Sequence, residues 1–327
     1  MKYRPLGATG IEVSEIGLGT WPAGGSIHLA GAPTGYGTVP ETEAIRGIHR
    51  ALEQGVNFFD TSDTYGLGRA ERLLGQGIAA RRGQAVVATK AGWVPDGAER
   101  WVKDLSADHL RAAALRSRAR LGVERIDVFQ LHAIPEPGAE AEEAFDALEE
   151  LKTRGIIRAA GVSVGPDVAA GLRILESGRV DVLQASFNLL QQAASAELFE
   201  TCRKKKVGII SSIPFAYGFL SGRYTRNTVF SKDDWRSRLT REEVAARVSR
   251  VEELRFLTAD GTRPLIHAAL QFVLGHPQIS TTIPGFRSVE QVNGILEALD
   301  AEPLSDIEVA RARELGKIWQ GTVPART

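Results

Sequence analysis

Four polar side chains suited to acid–base chemistry end or follow apolar, strand-like runs in this chain. The run VNFFD ends in Asp60, and Tyr65 follows five residues later in the loop sequence TSDTYG. The run AVVATK ends in Lys90, and IDVFQLH ends in His132. Taken singly, each residue has an ordinary structural explanation. In chain order these are a carboxylate that caps a loop, a half-buried aromatic ring, a lysine at the barrel rim and a core histidine whose hydrogen bonds are made within the protein.

Taken together, the four side chains predict a site that reduces a carbonyl group. Such a reaction needs a hydride donor and an acid that protonates the developing alkoxide. The phenol of Tyr65 is a suitable acid, and a nearby Lys90 ammonium is expected to lower its pKa. Asp60 would hold Lys90 and balance its charge, while a neutral His132 imidazole would orient the substrate oxygen by a hydrogen bond. No His/Cys/Asp cluster has the spacing of metal ligands, which disfavours a metal site.

These residues can meet only if their strands are neighbours. Eight strand-like runs alternate with helical segments, which predicts parallel strands joined by helical crossovers. Eight units favour an α/β fold of the (β/α)8 TIM-barrel type over an open sheet, and no strand ends in a GxGxxG fingerprint. In such a barrel the active site lies at the carboxyl ends of the strands, where all four residues fall. The predicted strands are 15–20, 56–60, 85–90, 126–132, 157–163, 181–187, 207–214 and 279–285. The predicted helices are 41–54, 69–80, 106–121, 140–153, 166–176, 194–205, 263–275 and 288–299, with Ser106 as an N-cap.

Three further segments complete the predicted architecture. The N-terminal KYRPLGATGIEV predicts a β-hairpin that plugs the barrel floor. Residues 215–262, after the seventh strand, are too long for a plain connection and predict a lid with an extra helix over 241–257. The glycine-rich segment 23–40 lacks phosphate-loop spacing and is interpreted as a flexible rim. We expect one domain spanning 1–327.

Composition narrows the class of protein. Lys+Arg and Asp+Glu both number 40, so the chain offers no global basic field for nucleic acid or an anionic membrane. A single cysteine, Cys202, permits no intrachain disulfide and fits a reducing compartment. The sequence has neither a signal-peptide core nor a transmembrane-length apolar run, so we expect a cytoplasmic protein that binds a small molecule.

Six short motifs occur in a fixed order along nearly the whole chain. They are GLGTW (17–21), NFFDTSDTYG (57–66), VVATK (86–90), DVFQLH (127–132), GVS (161–163) and IPG (283–285). This set resembles the bacterial branch of the aldo-keto reductases. The resemblance implies a barrel that binds extended NADP(H), with Asp60, Tyr65, Lys90 and His132 as a catalytic tetrad. It implies that Tyr65 donates the proton to an aldehyde or ketone, whereas Asp63 matches no tetrad position and belongs to the loop.

The same resemblance implies contacts with the cofactor and the substrate. Ser163 and Gln184 would face the nicotinamide carboxamide, the loop 218–224 would cover the pyrophosphate, and Arg287 would hold the adenosine 2′-phosphate. That last contact favours NADP(H) over NAD(H). The implied cofactor contacts are Gly19, Thr20, Trp21, Asp60, Ser163, Gln184, Ser212, Pro214, Leu220, Ser221, Gly222, Arg223, Gly285, Arg287 and Gln291. The substrate contacts would be Trp21, Tyr65, Trp93 and His132, with Trp235 on the lid.

The chain departs from the family pattern at three cofactor positions. Val164 replaces a usual Asn, Ser212 replaces a usual aromatic ring beneath the nicotinamide, and Ile295 replaces a frequent Asn near the adenine. Phe215 or Tyr217 is a candidate for the replacement ring. These losses leave open a second hypothesis, a nucleotide-sensing interaction subunit like the potassium-channel β subunits, which resemble this family. A third hypothesis uses the tetrad for sugar oxidation or for a non-redox step such as dehydration.

Overall fold

The computed structural model describes residues 1–97, 100–258, 261 and 263–319. Eight parallel strands form one sheet in which each strand pairs with the next in chain order. The strands are β1 (Leu18–Gly19), β2 (Phe58–Asp60), β3 (Val86–Ala91), β4 (Ile126–Leu131), β5 (Ile157–Gly165), β6 (Val182–Ser186), β7 (Gly208–Ser212) and β8 (Thr281–Ile283). Parallel bridges from Ile16 to Thr282 and from Gly19 to Gly285 join the two ends of the sheet. The predicted (β/α)8 barrel is confirmed.

Helices follow each strand, and the lid and the C-terminus add two more. The helices are α1 (Glu41–Glu53), α2 (Arg69–Ile78), α3 (Ala107–Leu121), α4 (Ala139–Thr153), α5 (Val168–Ser177), α6 (Leu198–Lys205), α7 (Arg241–Glu253), α8 (Leu265–Leu274), α9 (Val289–Leu296) and α10 (Asp306–Trp319). Ser106 caps α3 as predicted, because its hydroxyl accepts a hydrogen bond from the backbone N–H of His109. None of the described helices is long and apolar enough to span a membrane.

The N-terminal hairpin closes the floor of the barrel. Tyr3–Pro5 pairs antiparallel with Glu12–Ser14, and the buried side chains of Leu6 and Val13 pack among the apolar residues inside the barrel. Gly7 has a positive φ, and a Cβ there would lie 2.3 Å from the backbone nitrogen of Gly208. Only glycine therefore allows the hairpin to sit this close to β7. The inward-facing strand residues that complete this core are Phe58, Ala88, Val128, Ala159, Val182, Ile210 and Ile283.

The sequence-based prediction lacked several elements, among them a short antiparallel pair in the rim, His28–Leu29 with Ala32–Pro33. The third loop contains a hairpin in which Trp93–Asp96 pairs antiparallel with Arg100–Lys103. Helix α10 lies after the last barrel unit, and the Gln192 side chain donates to the backbone oxygen of Ala312 within it at 2.9 Å. The prediction of one domain over 1–327 stays a prediction, since residues 98–99, 259–260, 262 and 320–327 lie outside the described part.

Candidate active site

A buried ion pair forms the base of the site. Asp60 ends β2 and Lys90 lies near the end of the neighbouring β3, so both side chains reach the carboxyl end of the barrel. The Lys90 Nζ donates to Asp60 Oδ1 at 2.5 Å and to the backbone oxygen of Thr61 at 2.8 Å. Both charged side chains are at most 3% exposed. A pair this buried persists only when its remaining hydrogen-bonding groups are also satisfied.

Two amides satisfy the other oxygen of Asp60. Gln184 donates to Asp60 Oδ2 at 2.9 Å and Gln130 donates to it at 3.3 Å. The Ser163 hydroxyl in turn donates to Gln184 Oε1 at 3.4 Å, which holds the amide nitrogen toward Asp60. Sequence reasoning missed Gln130. The available signal was a glutamine inside an otherwise apolar strand, two residues before His132.

The Tyr65 phenol lies above this ion pair. Its ring centroid is 5.2 Å from Lys90 Nζ, and its ring meets that of His132 edge-on at 5.8 Å. Burial, reinforced by the negative charge of Asp60, raises the pKa of Tyr65 well above its usual value of 10. The sequence-based expectation was a lowered pKa, whereas the net shift is upward, because burial and the charge of Asp60 outweigh the opposing effect of Lys90. The phenol is therefore protonated at neutral pH.

His132 follows β4 and is neutral at neutral pH. Burial, aided by the nearby positive charge of Lys90, lowers the pKa of His132 to about 3. Its Nδ1 lies 3.0 Å from Ser62 Oγ and 3.4 Å from Thr64 Oγ1, both in the loop between Asp60 and Tyr65. The Trp93 indole N–H donates to the backbone oxygen of His132 at 3.0 Å. Trp93, predicted as a substrate contact, therefore supports the position of His132.

Asp63 lies in the same loop but outside the tetrad. Its backbone N–H donates to the backbone oxygen of Lys90 at 3.1 Å, which ties the loop to β3. Burial, reinforced by the negative charge of Glu71, raises the pKa of Asp63 to about 7. Glu71 itself is fully buried and accepts from Thr89 and Arg120. These contacts are consistent with the predicted loop role of Asp63.

A cleft of about 770 Å³ opens at the carboxyl end of the barrel. That volume is typical of a small-molecule or cofactor site. Twelve of the residues predicted as cofactor or substrate contacts line it: Gly19, Trp21, Asp60, Tyr65, Gln184, Ser212, Pro214, Ser221, Arg223, Gly285, Arg287 and Gln291. The geometry thus brings most of the predicted set to one surface.

Other predicted contacts lie behind the wall of the cleft. The Thr20 hydroxyl donates to the backbone oxygen of Asp60 at 3.1 Å, and Leu220 is fully buried in the core. Both can therefore act on a ligand only through their backbone or through neighbours. The predicted residues that do not line the cleft are Thr20, Lys90, Trp93, His132, Ser163, Leu220 and Gly222.

An aromatic cluster covers the cleft beside Tyr65. Trp21 stacks on Tyr65 at 6.0 Å and on Trp235 at 6.1 Å, and it meets Tyr36 edge-on at 4.9 Å. Tyr217 meets Trp235 edge-on at 4.9 Å. Sequence reasoning placed Trp21 and Trp235 here and did not single out Tyr36 within the rim segment 23–40. Rings of this kind form an apolar wall that suits a flat or hydrophobic substrate.

A buried ion pair anchors the lid over this wall. Arg236 donates to both carboxylate oxygens of Asp234, at 2.9 and 2.6 Å. The same guanidinium donates to the backbone oxygen of Tyr217 at 2.9 Å and lies 5.0 Å from the Tyr36 ring centroid. The backbone N–H of Trp235 donates to the Gly35 backbone oxygen at 2.8 Å. The glycine-rich rim is thereby tied to the lid rather than standing alone.

Two arginines that line the cleft have no ion-pair partner. Arg223 and Arg287 are exposed, and neither forms an ion pair with another described residue. Arg223 Nε donates to Ser221 Oγ at 3.2 Å, and the backbone N–H of Arg287 donates to Gln291 Oε1 at 2.9 Å, at the N-terminus of α9. Glu290 also lines the cleft and partly opposes the positive charge. This arrangement favours a ligand with anionic groups.

The match to a known family follows from the whole chain. A family model described as the Aldo/keto reductase family matches residues 15–317. The chain belongs to this family. Aldo/keto reductases are oxidoreductases that use nicotinamide cofactors, and the tetrad-like geometry lies where the fold places an active site.

Three similar proteins illustrate the range within the family. The NADH-specific methylglyoxal reductase of Escherichia coli strain K12 is 30% identical, over 97% of this chain and 99% of its own. The structure of an aldo-keto reductase from Bacillus halodurans in its holo form has a TM-score of 0.77, with 29% identity and 96% coverage of both chains. The glycerol dehydrogenase of Gluconobacter oxydans has a TM-score of 0.81 and 25% identity, covering 99% of this chain and 98% of its own.

The residues of this aldo/keto reductase fit a nicotinamide dinucleotide. Arg223 and Arg287 line the cleft and supply positive charge for phosphate groups. Ser212 and the Tyr65 phenol lie toward the barrel mouth, where the reactive ring would have to sit. Val164 is buried, and Ile295 presents an apolar side chain to the cleft. At these three positions the folded protein therefore does not supply the amide and ring contacts that the family pattern provides.

Proposed function

We propose that this aldo/keto reductase is an NADPH-dependent enzyme that reduces an aldehyde or ketone to an alcohol, with Tyr65 as the proton donor. One observation carries the proposal. The protonated Tyr65 phenol lines the cleft, its ring meets that of the neutral His132, and the buried Lys90–Asp60 pair lies beneath it. Each of these groups has a distinct role in adding a hydride and a proton to a carbonyl.

The chain's own groups act mainly on the proton and the oxygen. The bound cofactor supplies the hydride. Tyr65 is protonated at neutral pH, so it can donate a proton to the far more basic alkoxide oxygen. The phenolate left behind lies close to Lys90, whose positive charge stabilises it more than it stabilises the neutral phenol. The neutral imidazole of His132 donates a hydrogen bond that orients the carbonyl oxygen.

The choice of cofactor rests on Arg287. An unpaired guanidinium at the end of the cleft suits the 2′-phosphate that distinguishes NADPH from NADH. Glu290 opposes this preference, and the Escherichia coli relative is NADH-specific by its name. We therefore propose that the protein prefers NADPH over NADH. The preference should be smaller than Arg287 alone would give, because of Glu290.

The aromatic cluster indicates the class of substrate. Trp21, Tyr36, Tyr217 and Trp235 enclose the approach to Tyr65, and the nearest cation, Arg236, is already paired with Asp234. An apolar or ring-containing carbonyl compound would gain most from such a wall. We propose substrates of this kind over small, highly charged carbonyl compounds.

The test combines cofactor binding with turnover. NADPH and NADH are titrated separately, and a panel of aromatic and aliphatic carbonyl compounds is then screened by the loss of reduced-cofactor absorbance. Tyr65→Phe should abolish turnover and leave NADPH binding nearly intact, because the ring remains while the acid is lost. Retained turnover in that variant would remove Tyr65 from the acid role. A matched control, Tyr3→Phe, removes an exposed phenol far from the cleft.

A second candidate, a protein that binds NADP(H) without turnover, is favoured by one feature. Ser212 and Ile295, both in the cleft, lack the ring and the amide that the family pattern provides. Cofactor binding with no turnover on any carbonyl compound would support that candidate. Product formation without cofactor consumption would instead indicate a non-redox reaction at the same tetrad.

A further inference from the structure

Two hydroxyl groups lie behind the imidazole of His132. Ser62 is fully buried, and its Oγ is 3.0 Å from His132 Nδ1. Thr64 Oγ1 lies 2.9 Å from Ser62 Oγ and 3.4 Å from the same nitrogen. His132 Nε2 has no hydrogen-bond partner among the described residues. The described residues therefore contact one ring nitrogen and leave the other without a partner.

Hydrogen counting indicates how the protons of this group are arranged. Ser62 Oγ accepts from the backbone N–H of Thr64 at 3.2 Å. If Ser62 also accepts from the Thr64 hydroxyl and donates to His132 Nδ1, every hydroxyl proton has an acceptor. If His132 Nδ1 carries the proton instead, it donates to Ser62 Oγ, and the Ser62 proton must point to another acceptor. The two lone pairs of Ser62 Oγ are then taken by His132 and by the backbone N–H of Thr64, so the Thr64 hydroxyl can no longer donate to Ser62.

Three other acceptors compete for the Ser62 proton. Thr64 Oγ1, at 2.9 Å, is the nearest, but the Thr64 hydroxyl proton would then have only His132 Nδ1, at 3.4 Å, as an acceptor among the described residues, which again leaves Nδ1 unprotonated. The Lys90 backbone oxygen lies at 3.2 Å and already accepts from the backbone N–H of Asp63. Asp63 Oδ1 lies at 3.4 Å, at the limit of a hydrogen bond. His132 Nδ1, at 3.0 Å, is nearer than either of these two oxygens.

We propose that Ser62, supported by Thr64, is a positioning residue that keeps the proton of neutral His132 on Nε2. Ser62 does not touch the substrate and acts only through His132. Its hydroxyl occupies Nδ1 as a donor, which leaves Nε2–H to donate to the carbonyl oxygen. The kinetic consequence rests on the proposed function, whereas the tautomer itself is a property of the free protein.

The tautomer is measured directly by nitrogen-15 NMR of histidine-labelled protein. The chain has six histidines, and a His132→Gln variant identifies the signal of His132. We expect wild-type Nδ1 to show the shift of an unprotonated nitrogen and Nε2 that of a protonated one. A Ser62→Ala/Thr64→Val double variant should shift both signals toward a mixture of tautomers. A wild-type Nδ1–H form, or unchanged signals in the double variant, would overturn the proposal.

Kinetics provide the second readout. Loss of a supporting partner typically costs about 10- to 100-fold, and we expect kcat of Ser62→Ala to fall within that range with NADPH affinity unchanged. Thr64→Ser keeps the hydroxyl and should retain most of the activity lost in Thr64→Val. A control, Ser117→Ala, removes a fully buried hydroxyl without a partner and should change neither readout. If wild type reduces no carbonyl compound, the proposed function fails, while the NMR result still decides the tautomer.

Discussion

Replacing Asp63 by Asn should stabilise the protein, and increasingly so as the pH rises. The folded state raises the pKa of Asp63 from 3.8 to about 7, mainly by burial and next by the charge of Glu71. Between these values the unfolded chain is ionised while the folded chain retains the proton. Since the folded state then binds more protons, the stability of the wild type falls as pH rises from about 4 to about 7 and is level above that. Asn removes this penalty and keeps a polar oxygen near Ser62.

The magnitude follows from the size of the shift. Roughly three pKa units at 1.36 kcal/mol each give a ceiling of about 4 kcal/mol above pH 7. Asp63 is only partly buried, and the loop can relax around a charge, so we expect about 1–3 kcal/mol at pH 8 and about 1 kcal/mol or less near pH 5. Asp300→Asn, at an exposed position, is the control and should show no such trend.

Urea unfolding at the two pH values measures the effect as a change in midpoint at constant slope. An Asp63→Asn protein no more stable than wild type at pH 8 would refute the reasoning. So would a gain that is equal at both pH values, because the effect would then have no link to ionisation of the carboxyl group.

The remaining predictions concern the cofactor and His132. Phe215→Ala and Tyr217→Ala should each weaken NADPH binding by about 2- to 10-fold, the value of a stacked ring; unchanged affinity in both excludes them as the replacement ring. Arg287→Ala should raise the Kd for NADPH by about 10-fold or more and leave that for NADH nearly unchanged, measured by fluorescence titration; an equal loss for both cofactors would argue against a 2′-phosphate contact. Because burial lowers the pKa of His132 to about 3, protonation of His132 should cause no loss of kcat between about pH 5 and pH 8. An acidic limb in that range that disappears in His132→Gln would contradict this.

Much of the architecture is readable from sequence because it depends on local periodicity. The eight strand runs and their helices were located by apolar patterns and by signals such as the Ser106 cap. Residues at the carboxyl ends of parallel strands must share one edge of the barrel, so Asp60, Lys90 and His132 could be placed together before any distance was known. Helix α10 was missed because no strand precedes it and the pattern of repeating units gives no position for it.

Tertiary structure alone decided the electrostatics of the site. The direction of the Tyr65 pKa shift depends on the degree of burial of the phenol and on how far Asp60 offsets the charge of Lys90. Spacing along the chain determines neither of these. Tyr36 joined the aromatic wall only because the lid folds back onto the rim. Sequence thus determined which chemical groups reach the mouth of the barrel, since strand ends are local features. Their protonation and neighbours depend on desolvation and on contacts between distant segments, which exist only once the barrel and its lid have formed.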